Sequence, residues 1–362
     1  MNVLVLASTK GAYNSLRPET EIYVSLAKMG VCITIMTQED GEYSARFLEH
    51  GISIINAEYK KKIDFSVIKK IKQVIEDKKI DIVYATESKS ISNGVIASFG
   101  TEVKLVTYRG TTGGLYRRDP SAYLNALNPR VNGVVCVSQA VQRHVDKQVF
   151  SSKKRVVTIY KGHKREWYDQ GKLDLSEFGT NENNFNIAFV ANVRPHKGLI
   201  YLLEAAKEIS ELENIHILLM GKAIDKEPYN SAIQNSGMQE RIHMTGFRND
   251  VPAIIASCDV LVHASTRKEG LPRVILEALS CDTPVIASSN PSSLEVIEDG
   301  INGFITPIKK YLAIAEKIKE LYENPKKLEE LSRRAHEVID NKMSHEITAK
   351  KYKEYFDSLV DV

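Results

Sequence analysis

The 362-residue chain is poor in cysteine, and its four thiols, Cys32, Cys136, Cys258 and Cys281, stand far apart in apolar surroundings, without metal-ligand spacing. Scattered thiols of this kind predict reduced core side chains in a cytosolic protein and exclude a disulfide framework. No run approaches the ~20 apolar residues of a membrane span. The start, MNVLVLASTKGAY, enters a strand-like run with no basic leader, so a signal peptide is not expected. No G-x-G-x-x-G follows the first strand-like run of either half, which disfavours a Rossmann dehydrogenase. Low-complexity segments and short-period repeats are missing as well. Hydrophobic residues make up 43% and charged residues 26%; apolar side chains recur throughout, and this excludes a disordered chain.

Charge is unevenly spread. Residues 1–165 carry 26 Lys and Arg against 15 Asp and Glu, a net of +11; the remainder carries 23 against 31, a net of −8. A basic half predicts an anionic partner, either an anionic glycan or lipid-linked molecule or an anionic bilayer surface. No nucleic-acid-binding module accompanies it, so nucleic acid is not expected.

Strand-like and helix-like segments alternate. VLVLAS (3–8), ITIMT (33–37), SIINA (53–57), DIVYAT (81–86), KLVTYR (104–109), GVVCVS (133–138) and RVVTIY (155–160) are short apolar runs. Helical patterns stand near 19–29 and at 64–78, the latter with Phe65, Ile68, Ile71 and Ile75 on one face. Residues 166–184, polar and rich in Asn and Gly, break the pattern and predict a linker. The alternation restarts with IAFVANV (187–193), IHILLMG (215–221), RIHMTGF (241–247), VLVHAS (260–265), PVIAS (284–288) and GFITP (303–307), and helical patterns close the chain. The expected architecture is α/β: two parallel-sheet domains of the doubly wound kind, 1–165 and 185–340, with a C-terminal helical tail, 341–362. Ligands then bind beyond the carboxyl ends of the strands.

One segment carries most of the chemistry. In HASTRKEGLPRVILEAL (263–279) a strand runs into a loop bearing Glu269 and Gly270, and a helix begins near Leu271. A helix start offers free N–H groups and partial positive charge to phosphate. Glu277, eight residues after Glu269, is a second acceptor for sugar or ribose hydroxyls. This wording resembles the E-x7-E signature of glycosyltransferase family 4, the retaining group with the two-domain GT-B fold. NVRPHKGLIYLLEAA (192–206), HILLMGK (216–222), IHMTGFRNDV (242–251), TPVIAS (283–288) and IEDGINGFIT (297–306) resemble further segments of its donor domain, and VVCVSQAV (134–141) one of its first domain.

The resemblance implies two Rossmann-like domains facing across a cleft, the first holding the acceptor and the second the nucleotide sugar, with the last helix returning to the first domain. It implies that Glu277 accepts from the ribose hydroxyls and Glu269 from the donor sugar. Gly270 and Leu271 would touch sugar and diphosphate through their N–H groups, and Lys197 and Arg194 would neutralise the diphosphate. Gly221 would form the glycine turn, Gly11 would pass under the donor, and Arg248 and its neighbours would flank the base. With two cations on the leaving group no metal or other cofactor is implied. The donor class is a nucleotide sugar, a UDP-sugar before others, and the activity is hexosyl transfer in surface polysaccharide or lipopolysaccharide biosynthesis. A catalytically silent nucleotide-sugar-binding relative is the alternative.

Departures fall on both sides. The Arg of the phosphate segment aligns with Asn192, so Arg194 stands in for it; Pro291 and Ser292 replace a glycine pair ahead of Glu295; the loop STKGAYNSLRPET (8–20) holds only Gly11. Where many members carry a His after the strand matching KLVTYR, this chain has Arg109, followed by GTTGGLYRR. Arg109, Thr111, Thr112, Arg117 and Arg118 are therefore acceptor-side candidates, with Glu87 as a further one. Peripheral attachment to the inner membrane face is expected from the basic half.

Overall fold

The computed structural model describes residues 1–11, 13–150, 155–169 and 171–360. Ala12 in the loop after the first strand, Gln170 in the expected linker and the last two residues of the tail lie outside the described residues. The chain divides into two units, one of residues 1–162 with 345–362, the other of residues 163–344.

In the first unit seven strands form one sheet: β1 (Asn2–Leu6), β2 (Cys32–Thr37), β3 (Ser53–Asn56), β4 (Ile82–Ala85), β5 (Lys104–Arg109), β6 (Val131–Cys136) and β7 (Arg155–Thr158). The order is β3-β2-β1-β4-β5-β6-β7 and each described pairing is parallel, with Val3 opposite Ile33 on one side and Ile82 on the other. Val3, Leu4, Val5 and Leu6 are all buried, as continuous apolar strands require when helices cover both faces.

Helix Tyr13–Lys28 begins six residues before the expected 19 and carries Pro18 in its second turn, so the loop after β1 is much shorter than the expected 8–20. Helix Ser88–Ala97 mixes small polar and apolar side chains in its buried part: Ser90, Ser92, Asn93 and Gly94 lie with Ile91, Val95 and Ala97. A Cβ at Gly94 would lie 2.9 Å from Leu6 Cδ1, so the missing side chain at this position lets the helix sit close against β1. Helix His345–Val360 packs on the same unit, with Tyr352, Tyr355, Phe356 and Leu359 buried and the Tyr352 and Tyr84 hydroxyls 2.9 Å apart.

The second unit carries β8 (Phe185–Val190), β9 (Ile215–Met220), β10 (Ile242–Gly246), β11 (Val260–His263), β12 (Val285–Ser288) and β13 (Gly303–Thr306), in the parallel order β10-β9-β8-β11-β12-β13. Residues 166–184, expected as a linker, are counted in this unit: Trp167 and Leu175 are buried, and short turns of helix cover Arg165–Trp167 and Leu175–Phe178. Tyr168 and Thr180 are buried as well, so a polar composition hid four inward side chains. Among the described residues no helix is long and apolar enough to cross a membrane.

In both sheets the strand order reverses once near the middle, between β1 and β4 and between β8 and β11. Connections diverge there and leave a crevice at the carboxyl ends of the strands. The loops after β8 and β11 therefore define the candidate site of the second unit.

Candidate active site

Two glycines bring the site together. After β8 the chain continues beside β9, with Ala191 N–H donating to Met220 O and Val193 N–H to Lys222 O, both at 2.9 Å. Gly221 has φ 137°, and a Cβ there would strike the Ala191 carbonyl, so only glycine makes this turn. The turn Pro195–Lys197 ends at Gly198, φ 77°, whose missing Cβ makes room for the Ala264 carbonyl at the end of β11. Thr266 N–H donates to His196 O at 2.8 Å, which seals the two loops against each other.

This seam places Lys197 on Glu269. Lys197 Nζ donates to Glu269 Oε1 at 2.8 Å, and Ser265 Oγ lies 2.6 Å from the same oxygen and 3.1 Å from His196 O. Burial pushes the Glu269 pKa up, but the Lys197 charge, nearby His263 and the two hydrogen bonds outweigh it, and the carboxyl titrates below its usual value. His263 is buried beneath, and loss of water pushes its pKa down to about 4 despite the opposing pull of Glu269. The site at neutral pH is thus an anionic Glu269, a cationic Lys197 and a neutral His263.

Glu277 projects from helix Arg273–Ser280, its side chain 6% exposed, with Arg273 Nε 3.0 Å from its carboxylate. Burial raises its pKa and the Arg273 charge pulls the other way. Gly270 is buried and Leu271 half-buried, and their N–H groups have no acceptor among the described residues, as a helix entrance open to an anion requires. The Arg194 side chain is exposed and makes no hydrogen bond or ion pair among the described residues, while its carbonyl accepts from Lys197 N–H at 2.8 Å. Asn290, on the loop that lacks the glycine pair, donates to Ser265 O at 3.4 Å and accepts from Ser293 N–H at 3.1 Å, so the loops after β11 and β12 are joined.

Arg248 is spent elsewhere. Its guanidinium holds both oxygens of Asp250 at 2.6 and 2.8 Å, reaches Glu177 at 3.2 Å and lies over the Phe178 ring. It clasps the 175–178 turn to the end of β10. The aromatic next to it, Phe247, is exposed, with Lys222 Nζ 5.0 Å from its ring centre. Ser265 and Lys222 were not among the sequence candidates, and Phe247 was among them only as a neighbour of Arg248. His243 stacks on His216, with ring nitrogens 2.9 Å apart. Among the described residues no three His, Cys, Asp or Glu side chains group to hold a metal ion.

In the first unit the candidates separate. Gly11 is exposed in the short loop after β1. Glu87 precedes helix Ser88–Ala97, and burial together with the charge of Glu19 raises its pKa. Arg109 turns onto its own loop, donating to the carbonyls of Thr111, at 3.1 Å, and of Gly113. It lines a recess of about 160 Å³ with Thr86, Ser88, Tyr108, Ser121 and Asn125. Thr111 Oγ1 donates to Gly113 O at 3.3 Å, and Thr112 is half-buried beside it. Arg117 and Arg118 line a separate depression with Tyr116, Asp119 and Gln148. The Arg117 guanidinium donates to the carbonyls of Gln148 and Val149 at 2.9 and 3.2 Å and lies over the Phe150 ring. It satisfies backbone carbonyls just past helix Gln139–Asp146, as basic side chains commonly do at helix ends.

Comparison with known proteins follows the same division. Residues 20–166 match the family described as Glycosyltransferase Family 4, and residues 173–338 the family described as Glycosyl transferases group 1. The chain is 27% identical over 185 residues to the capsular polysaccharide biosynthesis glycosyltransferase CapM of Staphylococcus aureus, covering 49% of this chain and 47% of CapM. It is 23% identical over 311 residues to the N-acetyl-alpha-D-glucosaminyl L-malate synthase of Bacillus anthracis, covering 82% and 80% of the two chains. Several relatives are matched over only about half their length or less, EpsD of Bacillus subtilis over 39%. Among solved structures, HepE from Anabaena in complex with UDP superposes with TM-score 0.79 at 22% identity, covering 99% of this chain and all of that one. A glycosyltransferase from Rickettsia africae superposes with TM-score 0.82 at 20% identity, covering 99% and 98%. Each half thus matches a glycosyltransferase family model above a parallel doubly wound sheet, the first half Glycosyltransferase Family 4 and the second Glycosyl transferases group 1.

Proposed function

We propose that the protein is a retaining glycosyltransferase that moves a hexose-type sugar from a nucleotide sugar, a UDP-sugar before others, to an anionic glycan or lipid-linked acceptor in surface polysaccharide or lipopolysaccharide biosynthesis. The observation that carries this is the Lys197–Glu269–Ser265 cluster with Glu277 at the switch point of the second sheet.

In this reading Glu277 exchanges part of its bond with Arg273 for the ribose hydroxyls, and Glu269, kept ionised, accepts from the hydroxyls at C3 and C4 of the donor sugar. The open N–H groups of Gly270 and Leu271 meet the diphosphate, and the exposed Phe247 ring offers a face to the base. Lys197 moves from Glu269 toward the diphosphate, joined by Arg194. The bond from the anomeric carbon to the diphosphate breaks, and the acceptor oxygen bonds to that carbon on the same face. The acceptor proton passes to the departing phosphate oxygen. The two cations stabilise charge as it appears on the leaving group, which is where electrostatic help lowers the barrier. The acceptor belongs to the first unit, and its lysine-rich face docks on an anionic inner leaflet.

Calorimetry with UDP, GDP, ADP and their sugars tests the donor side. Glu277→Ala should weaken binding of the preferred nucleotide by ~1.5–3 kcal/mol, the cost of losing hydrogen bonds to a charged acceptor, with the fold intact. Unchanged affinity sinks the ribose assignment, and nucleotide-sugar binding without any transfer or hydrolysis supports the silent relative instead.

A further inference from the structure

The Arg109 recess of the first unit has the chemistry of an anion site. Its polar lining consists of the Arg109 guanidinium, the hydroxyls of Thr86, Ser88, Tyr108 and Ser121, and the amide of Asn125; none of its lining residues is acidic. Arg109 is half-buried, and its described partners are two backbone carbonyls of its own loop. Neutral carbonyls orient a guanidinium but do not balance its charge. No carboxylate is among the groups that shift its pKa, which burial lowers. Gly114, with φ 73°, takes the left-handed conformation that turns the loop back beside the guanidinium. A partly desolvated cation with no acid partner is stabilised by whatever anion enters, and a planar fork suits two oxygens at once.

We propose that this recess binds one oxyanion, a carboxylate or a phosphate monoester, carried by the acceptor. The recess, about 160 Å³, has room for roughly five waters at ~30 Å³ each, enough for one charged group and not for an oligosaccharide. Arg117 does not share the role, because its donors are committed to helix-end carbonyls and its face to Phe150. The assignment to an acceptor rests on the glycosyltransferase reading; the oxyanion site itself stands on the recess.

The test titrates the full chain carrying Lys197→Ala, so that the donor-side cation cannot hold the probe. Inorganic phosphate, glucuronate and glucose are compared by calorimetry in this background and with Arg109→Gln, Asn125→Asp or Arg117→Gln added. Phosphate or glucuronate should bind and glucose should not, and whichever binds tighter identifies the source of the oxyanion. Arg109→Gln and Asn125→Asp should each weaken that anion by about tenfold or more, as loss of a charge-assisted bond or a new like charge demands. Asn125→Asp, nearly isosteric, covers the case in which Arg109→Gln disturbs its loop, and Arg117→Gln should change nothing. The proposal is overturned if neither anion binds at about 50 mM, if glucose binds equally, or if Arg117→Gln weakens binding as much as Arg109→Gln. Failure of the wild-type chain to bind UDP would instead overturn the donor reading and leave this result readable.

Discussion

At the scale of single residues, the second unit sets charges by burial as much as by contact. His263 is held neutral because it is dehydrated, with its pKa pushed down to about 4 from an ordinary 6.5. Its proton is therefore taken up more readily by the unfolded chain. Stability contributed by the neutral imidazole is complete above pH 6.5 and is lost as pH falls from 6.5 towards 4, a change of ~3 kcal/mol over the window. Replacing His263 by Gln should flatten that slope in denaturant unfolding measured across pH 4 to 7 on the second unit's signal; an identical slope in both proteins would show that the imidazole is solvated. In the proposed reaction Lys197 and Arg194 are the cations that take the leaving diphosphate. Turnover should accordingly survive EDTA, and complete loss restored by magnesium or manganese would assign the charge stabilisation to a metal.

At the scale of elements, helix Phe65–Asp77 behaves as an amphipathic segment with an addition at its entrance. Ile71, Val74 and Ile75 face the core, and the Asp64 carboxylate caps the start by accepting from Ser66 N–H. Phe65, the first helical residue, is 81% exposed, and Ile63 is 42% exposed. They stand beside Lys60, Lys61 and Lys62, of which Lys60 is paired with Glu58 at 2.9 Å. Apolar side chains amid lysines suit the boundary of an anionic bilayer, where each basic residue contributes ~1 kcal/mol. Double charge reversal, Lys61→Glu with Lys62→Glu, should release the protein from vesicles containing anionic lipid, and Phe65→Ser should weaken the same binding with less salt dependence. Equal sedimentation of all three proteins with anionic and neutral vesicles would reduce the patch to a solvated surface.

At the scale of the whole molecule, the chain's last helix belongs with the unit formed by its first 162 residues. Tyr352, Tyr355, Phe356 and Leu359 are buried there, at ~1.5–3 kcal/mol each against exposure. The Tyr355 hydroxyl also donates to Arg155 O at 2.7 Å. Truncation after Ser344 should lower the unfolding midpoint of the first unit. The single tryptophan, Trp167, is buried in the second unit, so its fluorescence reports that unit by itself. A circular dichroism transition that moves while the tryptophan transition holds is the expected outcome; an equal shift in both would show that the helix supports the two units alike.

Much of this protein was legible in one dimension. Short apolar strands separated by helices determine parallel sheets, because a strand covered on both faces has no polar side to alternate. The E-x7-E wording, Lys197 and the glycine turn at Gly221 were readable too, since loops that meet at a switch point lie next to strand ends in the sequence itself. Periodicity is weak where small polar side chains share the packing: helix Ser88–Ala97 buries Ser90, Ser92, Asn93 and Gly94 beside Ile91, Val95 and Ala97, and Gly94 gives the close approach to Leu6. It also does not show the burial of Trp167, Tyr168, Leu175 and Thr180 within the polar stretch 166–184. Spacing could not sort the arginines either. Arg109, Arg117 and Arg248 look alike in a row of letters, and what separates them is partners distant along the chain or folded back in three dimensions: helix-end carbonyls and a ring for Arg117, two carboxylates and a ring for Arg248, a recess without acids for Arg109. Local order follows from the backbone and the apolar pattern, which the sequence carries directly. Which charge stays available to a ligand depends on which neighbours satisfy it, and only the tertiary structure decides that.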